Sequence, residues 1–95
     1  MKIFKYPIPN ESEEVIFSLE IPEGSDILRV GLDPQEQACI WCLVSEQLDA
    51  ERRYFRVVAT GEQIVSMKNK RYIGTWNEGP FVWHLFELFK EEKSA

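Results

Sequence analysis

This sequence predicts an all-β fold of about seven mostly antiparallel strands, in a small sandwich or partly open barrel. Three observations lead there. Apolar residues recur with a period of two. Turn residues punctuate the chain at fairly regular intervals. No apolar stripe of helical period is long enough for a major helix.

The elements follow in order. Residues 2–8 form the first expected strand, with Phe4, Tyr6 and Ile8 on one face. Pro7 and Pro9 close it and mark an edge, because proline cannot donate to a ladder. Pro9-Asn10-Glu11-Ser12 is turn chemistry. Residues 15–21 alternate, with Val15, Phe17, Leu19 and Ile21 inward and Ser18 and Glu20 outward. Pro22-Glu23-Gly24-Ser25 breaks the chain before 27–32, where Leu28, Val30 and Leu32 oppose Arg29 and Gly31. Asp33-Pro34-Gln35-Glu36-Gln37 turns it again. Residues 39–44 are apolar on both faces. A polar loop at 45–52 is expected to carry one helical turn over 48–52. Residues 53–60 set Phe55, Val57 and Ala59 against Tyr54, Arg56, Val58 and Thr60. Gly61 stops that strand, and 61–70 is irregular. Residues 71–76 place Tyr72 and Trp76 on one side, with Gly74 between them as the mark of a bulge or a close backbone approach. Asn77-Glu78-Gly79-Pro80 is a hairpin turn into 81–89.

That last segment, FVWHLFELF, is also apolar on both faces. Phe81, Trp83, Leu85 and Phe89 lie on one side, and Val82, Phe86 and Leu88 on the other. Residues 39–44 and 71–89 are the expected centre of the fold. Short connections favour hairpins and hence antiparallel pairing.

The chain has 95 residues, enough for a single domain over 1–95, with 90–95 a polar tail. A net charge of −5 works against non-specific binding to nucleic acid or membranes. Lys68, Lys70, Arg71 and the Arg52–Arg53 pair read as solvated cations, and Glu11, Glu13 and Glu14 as a solvated turn. No run of signal-peptide character is visible. Nothing approaches the ~20 apolar residues of a membrane helix. The expected setting is the cytoplasm.

Candidate chemistry is sparse. Cys39-Ile40-Trp41-Cys42 has the C-x-x-C spacing of a redox dithiol or half a zinc site. In a strand, however, residues three apart point to opposite faces. The chain has no further cysteine and one histidine. Two buried, reduced thiols are therefore expected. His84 has no local nucleophile signature and reads as a satisfied core or interface histidine, whose titration near neutral pH would make binding pH-sensitive. The glycines form no phosphate-cradling loop. No catalytic residue, metal site or cofactor is expected.

Two functional readings lead, ahead of an enzymatic role and a purely structural one. In the first, the two-sided apolar strands give a non-enzymatic domain working through protein contact, including self-association. Its interface residues are Trp41, Leu43, Val82, His84 and Phe86, with the histidine-bearing face taken as outward; the opposite assignment stays open, because Glu87 shares a face with Trp83. In the second, Tyr54, Tyr72 and Trp76 stack a nucleotide-like signal while Arg53, Arg56 and Arg71 meet its phosphate.

An ordered set of motifs adds context. It comprises Met1-Lys2-Ile3-Phe4-Lys5-Tyr6, Ile21-Pro22-Glu23-Gly24, Ile27-Leu28-Arg29-Val30, Ile40-Trp41-Cys42-Leu43-Val44 and Arg53-Tyr54-Phe55-Arg56-Val57 with Thr60-Gly61. Tyr72-Ile73-Gly74-Thr75 and Val82-Trp83-His84-Leu85-Phe86-Glu87 complete it. Together these resemble a family of small uncharacterised proteins encoded by bacteriophages and prophages. The resemblance implies an accessory protein in the infected bacterial host, of a kind that often binds a host or anti-phage defence protein or sequesters a signal molecule. It assigns no residue a role.

Overall fold

The alternating segments become seven strands: β1 (Lys2–Pro7), β2 (Ile16–Pro22), β3 (Asp26–Leu32), β4 (Ala38–Val44), β5 (Ala50–Ala59), β6 (Lys70–Glu78) and β7 (Phe81–Leu88). This is a computed structural model, and it describes residues 1–9 and 16–89. Every paired strand is antiparallel to its neighbour. Sheet A has the order β1-β4-β3 and sheet B the order β2-β5-β7-β6. The sheets face each other as an open sandwich. No helix occurs among the described residues.

One side chain in two along each strand fills the space between the sheets. Sheet A contributes Ile8, Val30, Ala38, Ile40, Cys42 and Val44 to the core, with Phe4 and Tyr6 packed against them. Sheet B contributes Ile21, Phe55, Trp76 and Leu85, with Phe17, Leu19, Val57 and Trp83 alongside. The Phe17 and Phe55 rings stack with centroids 5.3 Å apart. The expectations of inward facing are met for Phe4, Tyr6 and Ile8, for Phe17, Leu19 and Ile21, for Phe55 and Val57, and for Trp83 and Leu85, while Phe81 and Phe89 are exposed. Those made for Val15, the 11–14 acidic cluster and the 90–95 tail lie outside the described residues.

Two β-bulges overturn expectations of facing. A bulge between Ile27 and Arg29 turns Leu28 to solvent and lets Ile27 pack on the core. A second, between Tyr72 and Gly74, inserts Ile73 and puts Tyr72 and Trp76 on opposite faces. An extra residue shifts the period-two phase, so every side chain beyond it changes sides. Gly74 also marks a close approach between sheets: a Cβ there would lie 2.9 Å from Val30 Cγ1. This contact closes the sandwich along β3 and β6.

The expected helical turn at 48–52 is absent, because β5 already begins at Ala50 and pairs there with Pro22 of β2. β4 and β7 are interior strands as expected, whereas β6 is an edge. β5 and β6 both pair antiparallel with β7 and are therefore parallel to each other. Residues 60–69 must then travel the length of β7 as a crossover. Glu62 pairs with Arg56 on the outer side of sheet B, which fixes the path over that face.

Candidate functional site

The outer face of sheet A is built by three register rows. Lys5, Trp41 and Arg29 form one, and Ile3, Leu43 and Asp26 another. The Arg29 guanidinium lies 5.2 Å from the Trp41 ring centroid, a cation–π contact that leaves Trp41 partly exposed. Gly31 makes room for it: a Cβ at that position would sit 3.0 Å from an Arg29 terminal nitrogen. Ile3 is 59% exposed beside the half-buried Leu43.

Cys39 lies in the third row and is fully buried, because the 33–37 turn folds over it. Asp33 organises that turn. Its Oδ1 accepts from the backbone N–H groups of Gln35 and Gln37, both at 2.9 Å. Its Oδ2 accepts from Lys5 Nζ at 2.8 Å and, more weakly, from Cys39 Sγ at 3.7 Å. The Lys5 ammonium, then these backbone donors, hold the Asp33 carboxyl down at about 2. Burial and the Asp33 charge raise the Cys39 thiol. Burial lifts Cys42, on the opposite face of β4, to about 11. Both thiols are free. Among the described residues, no group of three or more His, Cys, Asp or Glu side chains could hold a metal.

On the outer face of sheet B, His84 sits between Thr60 and Thr75. Nε2 is 2.7 Å from Thr60 Oγ1 and Nδ1 is 2.8 Å from Thr75 Oγ1. Thr75 continues to the Tyr72 hydroxyl, and the Tyr72 ring meets Phe86 edge-on at 5.5 Å. A hydroxyl donates or accepts, so either tautomer of the ring is satisfied. A hydroxyl–imidazole pair that works as a nucleophile has its second nitrogen oriented by a carboxylate or amide; here that place is taken by Thr75. Val58 and Phe86 face outward yet are only 3% and 6% exposed. The crossover at 60–69 passes over this face and accounts for their burial. Val82 and Tyr72 remain accessible.

The five expected interface residues are therefore split. Trp41 and Leu43 lie on the outer face of sheet A, and Val82, His84 and Phe86 on the outer face of sheet B. They cannot form one patch. The histidine-bearing face does point outward.

The expected ligand platform is divided as well. Trp76 is buried between the sheets, while Tyr54, Arg56 and Tyr72 are on the outer side of sheet B. Arg53, Tyr54 and Arg71 do meet, in a cleft of about 570 Å³ at one end of the sandwich, with Glu51, Arg52, Glu87, Leu88 and Phe89. At its base Arg53 holds Glu87 in a two-pronged ion pair, at 2.6 and 2.9 Å. Arg53 also donates to the Ser25 carbonyl at 2.6 Å, and Arg71 reaches Glu87 at 3.2 Å. Glu87 is 3% exposed. Sequence alternation placed Glu87 on the Trp83 face. Its partners were not visible, because Arg53 is 34 residues away along the chain.

No helix of the described residues is long and apolar enough to cross a membrane. No curated protein and no solved structure matches the chain. One family model does, over residues 1–95, and its description is a domain of unknown function. With a match along all of its residues, the chain belongs to the DUF7352 family.

Proposed function

We propose that this chain is a non-enzymatic β-sandwich that acts by binding another protein, through the outer face of sheet A. The observation that carries this reading is the cluster of Ile3, Leu43 and Trp41 in two adjacent rows. These large apolar side chains share one outer sheet face, and no third layer of described residues covers them. Arg29 and Lys5 flank the cluster and supply a charged rim, an arrangement common to protein interfaces. The resemblance to phage-encoded proteins supports a partner in the cytoplasm of the infected bacterium, either a host protein or an anti-phage defence protein. The net negative charge makes nucleic acid or a membrane surface a poor partner.

A tagged pull-down from infected cells, read by mass spectrometry, tests this. A partner held by the native chain and released by Leu43→Asp supports the reading. A partner that survives both Leu43→Asp and Ile3→Asp sinks it.

A second reading has its own observation, the cleft that joins Arg53, Tyr54 and Arg71. Arg53 is held in place by Glu87, and Arg71 lies at the opening. A small anion entering the cleft would meet the Arg71 guanidinium at that opening. A thermal-shift panel of nucleotides and cyclic dinucleotides checks it. Stabilisation lost in Arg71→Ala supports a ligand site, and a flat panel rejects it.

A further inference from the structure

The sandwich is closed on one side and open on the other. On the closed side, β3 and β6 meet through Val30 and Gly74. The edges of the open side are β1 and β2. A free edge presents unpaired N–H and C=O groups, and monomeric proteins blunt such edges with lysine, proline or bulges. β1 is blunted in this way: Lys2 and Lys5 lie along it and Pro7 ends it. β6 carries a bulge. β2 carries no lysine and no bulge; its one charged side chain, Glu20, is paired with Arg52 of the same sheet, and Pro22 ends it as Pro7 ends β1. Its sequence is IFSLEIP, its register against β5 is unbroken over all seven residues, and its only proline is the last.

The side chains of β2 tell the same story. Phe17 and Leu19 point between the sheets but remain partly exposed, whereas their neighbours Ile21 and Phe55 are fully buried. Ile16 is exposed at the strand's beginning. The strand is also self-complementary. Turned antiparallel against itself about Leu19, it sets Phe17 opposite Ile21 on the inner face. On the outer face it sets Ser18 opposite Glu20. Arg52 already donates to both Ser18 and Glu20 of its own chain, each at 2.9 Å, so the carboxylates near the axis keep a cation beside them.

We propose that β2 is a dimerisation edge: it pairs antiparallel with β2 of a second copy, on a two-fold axis at Leu19. The two four-stranded sheets become one continuous sheet. Phe17 and Leu19 of each copy gain the cover that their own sandwich does not provide. The arrangement is isologous and closes on itself, so it stops at two copies. It leaves the outer face of sheet A free, and so stands apart from the protein-binding reading.

Cysteine crosslinking tests the register. Opposed residues of an antiparallel pair have Cα atoms about 4.5–5.5 Å apart, within disulfide reach. Under mild oxidation Leu19→Cys is expected to form a covalent dimer with itself. Ser18→Cys and Glu20→Cys, both on the outer face, are each expected to stay uncrosslinked alone and to crosslink when mixed. The native thiols are buried and do not compete. Light scattering of the native chain should give twice the chain mass, and Ser18→Pro, which removes an edge donor, should give the single mass. A native monomer overturns the proposal. So does a native dimer in which neither Leu19→Cys nor the mixed pair crosslinks. Loss of partner capture in Leu43→Asp with the dimer intact would support both surfaces. Retained capture with crosslinking would sink the sheet A surface alone.

Discussion

β4 and β7 look alike in sequence and differ in the fold. Both are interior strands with apolar residues on both faces, and both fill the core with their inner side. Their outer sides have different fates. The outer side of β7 lies beneath the crossover from β5 to β6, and Phe86 is almost as buried there as a core residue. The outer side of β4 is covered only in part. The Asp33 turn hides Cys39 and the Arg29 side chain shields one face of Trp41, but Leu43 stays half open beside Ile3. A two-sided apolar strand therefore does not by itself announce a partner. Connectivity decides whether the chain supplies its own cover.

Substitutions along the two strands sharpen this contrast. The largest effect is expected at Glu87 of β7, where Glu87→Ala strands the Arg53 charge inside the sandwich. Breaking a buried ion pair costs about 3–5 kcal/mol. Urea unfolding measures it, and a loss below about 1 kcal/mol, the range of exposed pairs, would show the site to be wet. Phe86→Ala comes next, at about 3 kcal/mol or somewhat more, if the crossover buries that ring. A cost near that of Leu43→Ala would erase the distinction between the strands.

Gly74→Ala is expected to cost about 1–3 kcal/mol by overpacking Val30. Most of that loss should return in the double variant with Val30→Ala, which removes the atom the new Cβ would meet. Additive losses in that cycle would disprove the contact. Leu43→Asp should cost about 1 kcal/mol, because Asp is a poor strand residue and the new carboxylate would face Asp26 across the ladder. The Asp33 turn over β4 differs in kind, because its stabilisation is full at neutral pH and its signature is the loss in acid. The Asp33 carboxyl titrates at about 2 in the fold against an ordinary 3.8. The unfolded chain thus binds more protons between these values, and the stabilisation is complete above the ordinary value. It is lost as pH falls toward 2. Asp33→Asn should flatten that part of the acid unfolding curve. An unchanged slope would mean that Lys5 does not hold the carboxylate in solution.

Much of the fold was legible in residue order. Phe4, Tyr6 and Ile8, or Phe55, Val57 and Ala59, need only a period of two to declare a face. The opposite facing of Cys39 and Cys42 follows from the same geometry. The facing failed where the backbone inserts a residue. Leu28 and Tyr72 each sit at a bulge, and a bulge has no reliable mark in a single sequence. Gly74 signalled one, but not which residues it would turn over. The candidate site was less legible. Arg53, Tyr54 and Arg71 meet in the cleft, while Trp76 was lost from their set through the phase shift at Ile73. The five interface residues were divided because β4 and β7 belong to different sheets, which alternation cannot reveal.

By itself, then, the sequence determined the β class, the seven strands, the faces of the regular ones and the opposite facing of the two buried thiols. These depend on local geometry, in which side chains alternate and turn residues interrupt. The tertiary structure alone decided sheet membership, the burial of Phe86 under the crossover and the pairing of Glu87 with Arg53. It also left β2 at the edge of sheet B. Each of these depends on contacts between residues distant in the chain, and their geometry is set by the packing of two sheets rather than by any segment within them.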